Sequence, residues 1–153
     1  MVVLLAFLLG CVCGLRSMTA PAVVCWAAHF GWLSFGGTRL AFLDKPALLI
    51  VITILAVGEL IADKLPKTPS RTAPLGLTAR IVLGGASAAA LAVSAHAGVP
   101  LATIAGALGG IAGAFGGYNV RHSLVARGLP DYVVALAEDA VAIVGGFVIV
   151  SRG

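Results

Sequence analysis

Four carboxylates stand where this chain has least physical reason to put them. Glu59 and Asp63 close a long apolar run and are four residues apart, so on a helix they share one face. Glu138 and Asp139 are adjacent inside another apolar run. Neighbours on a helix point about 100° apart, so the two can hardly both face lipid or share one partner. Charges inside apolar spans are costly; they are expected to face a bundle interior and to pair. The candidate counter-charges are Arg16, Lys64, Arg80 and Arg121, with Asn119 as a further polar group. Such a set can bind a small ion, an anionic solute or a lipid headgroup. Arg16 reads more as a topology anchor than as a ligand. The acids can also hold a divalent metal beside a phosphorylated lipid, since hard cations prefer carboxylate oxygens, and the sequence leaves that metal open.

The elements that must position these residues are membrane helices. Of 153 residues, 60% are hydrophobic and only 10% charged, and the mean hydropathy is +1.09. Soluble chains carry about 25% charged residues, so an ordinary cytosolic fold is excluded. The length suits one membrane domain over 1–153. The net charge of +4 is explained by basic residues collecting in cytoplasmic loops. No basic run interleaved with aromatics exists, which argues against nucleic acid. Cys11, Cys13 and Cys25 form no CxxC and read as small buried residues. His29, His96 and His122 lack metal-ligand spacing; His122 is the one placed to carry a proton. There is no nucleophile elbow, P-loop, HExxH or dinucleotide fingerprint, so no cofactor and no catalytic residue is assigned.

Six apolar segments can be drawn: Val2 to Leu15, Thr19 to Phe35, Ala47 to Asp63, Ala79 to Ala97, Leu101 to Gly117 and Asp131 to Val150. The first lacks the basic start of a signal peptide and reads as a retained span. The second is the least regular and can be re-entrant. With six spans, one side holds Arg16, Lys64, Lys67, Arg71, Arg80, Arg121 and Arg127, and the other holds Arg39, Lys45 and Arg152. Seven against three puts the first side in the cytoplasm and both termini outside. If the second segment fails to span, the split weakens to six against four. Three spans, a polar loop and three spans also have the layout of an inverted repeat. The fold class expected is thus an all-α, polytopic membrane helix bundle of about six spans, with a possible 3+3 inverted repeat.

Two further features bear on packing and surface. Gly109, Gly113 and Gly117 are four apart, and so are Gly106 and Gly110. These overlapping GxxxG frames let helix backbones approach closely, inside the protein or across a dimer. The loop from Lys64 to Thr72 is basic and proline-punctuated, suited to a positive-inside anchor or to anionic headgroups.

Under the six-span reading the polar residues converge. Arg16, Glu59, Asp63, Lys64, Arg80, Asn119 and Arg121 cluster at cytoplasmic span ends, and Glu59 sits about 6 Å inward of Asp63. Glu138 and Asp139 lie about 10 Å along the last span from that side. The segments Gly14-Leu15-Arg16-Ser17-Met18-Thr19-Ala20-Pro21, Glu59-Leu60-Ile61-Ala62-Asp63-Lys64-Leu65-Pro66 and Leu136-Ala137-Glu138-Asp139 together resemble a bacterial family of small integral membrane proteins described as a domain of unknown function. The resemblance covers nearly the whole chain. It implies a multi-pass protein of the bacterial inner membrane with Glu59, Asp63, Lys64, Glu138 and Asp139 among its marked positions, and it carries no known activity, substrate or cofactor. The reading that follows is a transporter or channel-like protein for a small ion or anionic solute. The alternative is a membrane enzyme or lipid-handling protein acting on phospholipid or isoprenoid-phosphate headgroups. The partners expected are the bilayer, a second copy of the chain in a dimer, and the solute or headgroup.

Overall fold

The computed structural model describes residues 1–64 and 72–153. The segment 65–71, into which most of the basic loop falls, lies outside the described residues. Among the described residues all regular structure is helical: α1 (Val2–Leu15), α2 (Thr19–His29), a short 3-10 turn (Ala41–Asp44), α3 (Pro46–Ala62), α4 (Pro74–Ser94), α5 (Val99–Ala126) and α6 (Asp131–Val150). Three of these, α4, α5 and α6, are long and apolar enough to cross a membrane, and α1 and α3 are shorter apolar helices.

The helix ends follow from local chemistry. Pro46, Pro74 and Pro100 stand in the first turns of α3, α4 and α5, where a missing N–H costs nothing. Proline at the start carries α4 back to residue 74, five residues before the expected Ala79. The second apolar segment extends to Phe35, but α2 stops at His29. Gly31 takes φ +74° there, while Trp32 N–H bonds Ala27 O at 2.8 Å and Gly31 N–H bonds Ala28 O at 3.0 Å. That is the glycine-terminated helix end in which the following amides satisfy the last carbonyls. Residues beyond it continue as coil, with Leu33 and Phe35 buried and Ser34 N–H bonded to Ser94 Oγ at 2.9 Å. The fifth segment errs the other way. Helix α5 runs nine residues past Gly117, because 118–126 contains neither proline nor glycine, and Gly128 at φ +94° follows its end.

Contacts set the directions. Ala6, early in α1, packs with Ala88 and Ala92 late in α4 and with Ala102 early in α5. Gly14, at the end of α1, lies against Gly110 and Ala114 of α5, and its carbonyl meets Arg80 early in α4. So α1 runs parallel to α5 and antiparallel to α4. Ser17 before α2 meets Glu59 late in α3, and Trp32 beyond α2 meets Phe147 late in α6. Consecutive helices therefore alternate in direction, and the ends of α1, α3 and α5 share one end of the bundle. The two halves have unequal helices, of 14, 11 and 17 residues against 21, 28 and 20.

The centre is α5 clasped between α1 and α4. A Cβ on Gly109 would strike Phe7 O, one on Gly113 would strike Cys11 O, one on Gly110 would lie 2.6 Å from Arg80 O, and one on Gly106 would strike Ala88 Cβ. Gly117 is buried on the same helix. Backbones this close require glycine, and they bring dispersion contacts that larger residues would hold apart. The face formed by Gly106, Gly109, Gly110 and Gly113 is therefore filled by α1 and α4 of the same chain, which leaves none of it open to a second copy. Helix α3 is the outlier: Leu49 is its one buried residue.

Candidate functional site

The chain reverses at Arg16-Ser17-Met18, and the charges collect around this reversal. Arg16 leaves α1 in extended backbone, φ −141° and ψ 110°. Helix α2 then starts without a side-chain cap of its own, and the amides of Ser17 and Met18, just before its first residue, need acceptors from elsewhere. Glu59, near the end of α3, supplies them. Its carboxylate accepts from Ser17 N (2.8 Å), Ser17 Oγ (2.5 Å) and Met18 N (2.8 Å). A carboxylate in that position also faces the positive end of the helix dipole. The Arg80 guanidinium lies 3.8 Å from the same carboxylate. Arg80 Nε donates to Gly14 O at 3.1 Å and Nη1 to Gly76 O at 3.0 Å. Arg80 thereby satisfies a carbonyl that the end of α1 leaves open and ties α1 to α4.

Arg16 itself is fully buried. Its guanidinium pairs with Asp63 at the end of α3 and, at 2.7 Å, with Asp139 of α6. Lys64 Nζ meets the other oxygen of Asp139 at 2.8 Å and donates to Leu60 O at 2.9 Å. The result is an alternating chain, Asp63–Arg16–Asp139–Lys64, linking the α1–α2 turn to α3 and α6. Among the described residues Arg16 Nε, Nη1 and Nη2 and Asp139 Oδ1 make no hydrogen bond, so this hub is held by charge rather than by hydrogen-bond geometry. Asp139 lies about 12 Å along α6 from Asp131. Pairing is what makes charges tolerable at such depth.

A second group sits closer to the start of α6. Arg121 grips Asp131 through Nε (2.8 Å) and Nη2 (2.7 Å), and its Nη1 is 3.6 Å from Glu138. The adjacent acids of α6 thus turn to different arginines, as their angular separation requires.

The model for the family described as Domain of unknown function (DUF4126) matches residues 3–151. The chain belongs to that family. No curated protein and no solved structure matches it.

Of the residues the sequence singles out in this DUF4126 chain, Arg16, Glu59, Asp63, Lys64, Arg80 and Asp139 meet in one cluster, with Arg121 and Glu138 beside it. Asn119 is not brought in; its side chain is exposed on α5. Two residues of separation turn it about 200° from Arg121, so when Arg121 faces α6, Asn119 faces away. His122 is also exposed and stacks on Tyr118, with centroids 6.2 Å apart. Among the described residues no group of three or more His, Cys, Asp or Glu is arranged to hold a metal ion. The sequence reading missed two participants. Ser17 could have been flagged as a small hydroxyl residue at a break between apolar runs, where helix starts attract serine. Asp131 gives no such signal, since a turn separates it from Arg121 and no helical period connects them.

Proposed function

We propose that this protein moves a small anionic solute across a bacterial cytoplasmic membrane, using the α1–α2 turn as its binding site. One observation carries the reading: the Glu59 carboxylate occupies a seat made of two backbone N–H groups, a hydroxyl and a nearby guanidinium. That donor set is what an anion at a helix N-terminus uses, and helix breaks with N-termini aimed at anionic groups are the binding sites of many transporters. The seat is filled by an internal carboxylate that an entering anion can displace. Around it the charges balance, with Arg16, Lys64 and Arg80 against Glu59, Asp63 and Asp139. A monovalent anion at the seat makes the cluster one charge negative, and its passage carries that net charge across the bilayer.

All six helices cross the membrane in this proposal, with the charged end cytoplasmic. The alternating helix directions and the seven-to-three division of basic residues support that arrangement. The halves then have opposite orientation, as in inverted repeats. The test is current on solid-supported membranes carrying reconstituted protein, challenged with chloride, phosphate, formate and acetate. At least one anion should evoke a saturable current. Ser17→Ala removes one charged hydrogen bond and should raise the half-saturating concentration by about tenfold or more. Currents no larger than those of empty membranes for every anion would overturn the proposal.

A further inference from the structure

A groove of about 350 Å³ lies between α2, α3 and α6. Ala22 and Trp26 form its floor, with Ala56 and Leu60 on the α3 wall and Ile143 and Phe147 on the α6 wall. Of the polar side chains that line it, Trp26 and Thr53 are engaged with one another and Thr19 is buried. Trp26 Nε1 donates to Thr53 Oγ1 at 3.1 Å, and Thr53 Oγ1 donates to Leu49 O at 2.7 Å. A polar ligand would find its apolar walls unrewarding, whereas a hydrocarbon chain would fill them.

The groove has a charged end. Leu60 lines it, and four residues on, just past the end of α3, stands Lys64, whose side chain is 35% exposed, the most accessible of the cationic side chains gathered here. Two of its three N–H groups go to Leu60 O and Asp139; among the described residues the third has no acceptor. An ammonium with a donor to spare, on a flexible stem beside an apolar groove, is suited to a phosphate. Helix α3 buries only Leu49, so it lines this groove without sealing it from the side.

We infer that the groove between α2, α3 and α6 binds one hydrocarbon chain of a phospholipid, with the lipid phosphate at Lys64. The inference goes beyond anion transport and does not rest on the Glu59 seat. Its class of ligand is set by the two ends together: hydrocarbon against the groove walls and phosphate against the ammonium.

The groove carries its own reporter. The chain has two tryptophans, and Trp32→Phe keeps an aromatic ring against Phe147 while leaving Trp26 as the sole emitter. Delipidated Trp32→Phe protein in detergent is titrated with a brominated-chain phosphatidylcholine, and Trp26 quenching is read. Quenching should saturate. Ala56→Phe, which fills the groove from a half-buried position, should abolish the saturable component while the helical circular dichroism is kept. Lys64→Gln should weaken the half-saturating concentration by about tenfold, and Lys64→Arg should restore it. Brominated diacylglycerol, with the same chains and no phosphate, should match the weakened value. Quenching that never saturates, or that survives Ala56→Phe, overturns the groove as the site. Equal affinity for the diacylglycerol, or for Lys64→Gln protein, overturns the phosphate at Lys64 and the proposal with it.

Discussion

Replacing Arg16 by glutamine is the sharpest probe of the charge chain. Arg16 is fully buried between Asp63 and Asp139. Without it Asp139 keeps Lys64 at 2.8 Å, so the carboxylate left stranded is Asp63, whose side chain is 15% exposed. Breaking a buried pair from one side costs about 3–5 kcal/mol. The partial exposure of Asp63 puts the loss near the lower bound, about 3 kcal/mol, or roughly a hundredfold in the folded-to-unfolded ratio. Asp139→Asn is milder, because Arg16 retains Asp63 and Lys64 can turn to solvent; about 1–2 kcal/mol is expected. Asp63→Asn added to Arg16→Gln should recover part of the first loss, with a coupling of about 1–3 kcal/mol. The assay is reversible unfolding in mixed micelles with rising denaturing detergent, followed by circular dichroism. A loss under about 0.5 kcal/mol for Arg16→Gln, the range of a surface change, or strictly additive losses in the double variant, would refute the reasoning.

Two other predictions concern packing and topology. Gly113→Ala pushes a methyl into the backbone of Cys11 and should destabilise by about 1–3 kcal/mol. Gly116→Ala, three residues on with nothing within 4 Å of its added Cβ, should be neutral or stabilising by up to about 1 kcal/mol; thermal melts showing the reverse order would mean that α1 and α5 do not pack as described. Reporter fusions at Gly153 and within residues 67–72 should read outside and cytoplasm respectively, and a cytoplasmic reading at Gly153 would remove the six-crossing arrangement.

Much of this fold was legible because apolar length and glycine spacing are local signals. Val2 to Leu15 and Asp131 to Val150 match α1 and α6 residue for residue, and the four-residue glycine period marks the helix that packs most tightly. The boundaries at His29 and Ala126 were not legible from hydropathy, since the apolar run continues past His29 and ends at Gly117, well before Ala126. They are set by glycines in left-handed backbone at Gly31 and Gly128. Similarly, the convergence of Arg16, Glu59, Asp63 and Asp139 could be argued from the cost of burying charge. The pairing could not, because clustering at one end of the spans offers Arg16 any of four acids. What chose Asp63 and Asp139 for Arg16 was the extended turn at Arg16, and what took Glu59 away was the demand of an uncapped α2. Helix-end hydrogen bonding is a tertiary matter here, since the cap comes from 42 residues away. Asn119 lies outside the cluster for a simpler reason: sequence proximity to Arg121 does not place it on the same face of α5.

The central claim is that the donors at Ser17 and Met18 form an anion seat that Glu59 fills. Glu59→Ala empties that seat without filling the space, and small carboxylates can then stand in for the missing side chain. The direct measurement is the thermal stability of Glu59→Ala and of the unaltered protein, titrated with sodium formate at constant ionic strength. The account predicts saturable stabilisation of Glu59→Ala, reaching about 2.7 kcal/mol at a hundred times the dissociation constant, little or none for the unaltered protein, and a weaker response when Ser17→Ala is added. Identical formate responses in Glu59→Ala and the unaltered protein would contradict it.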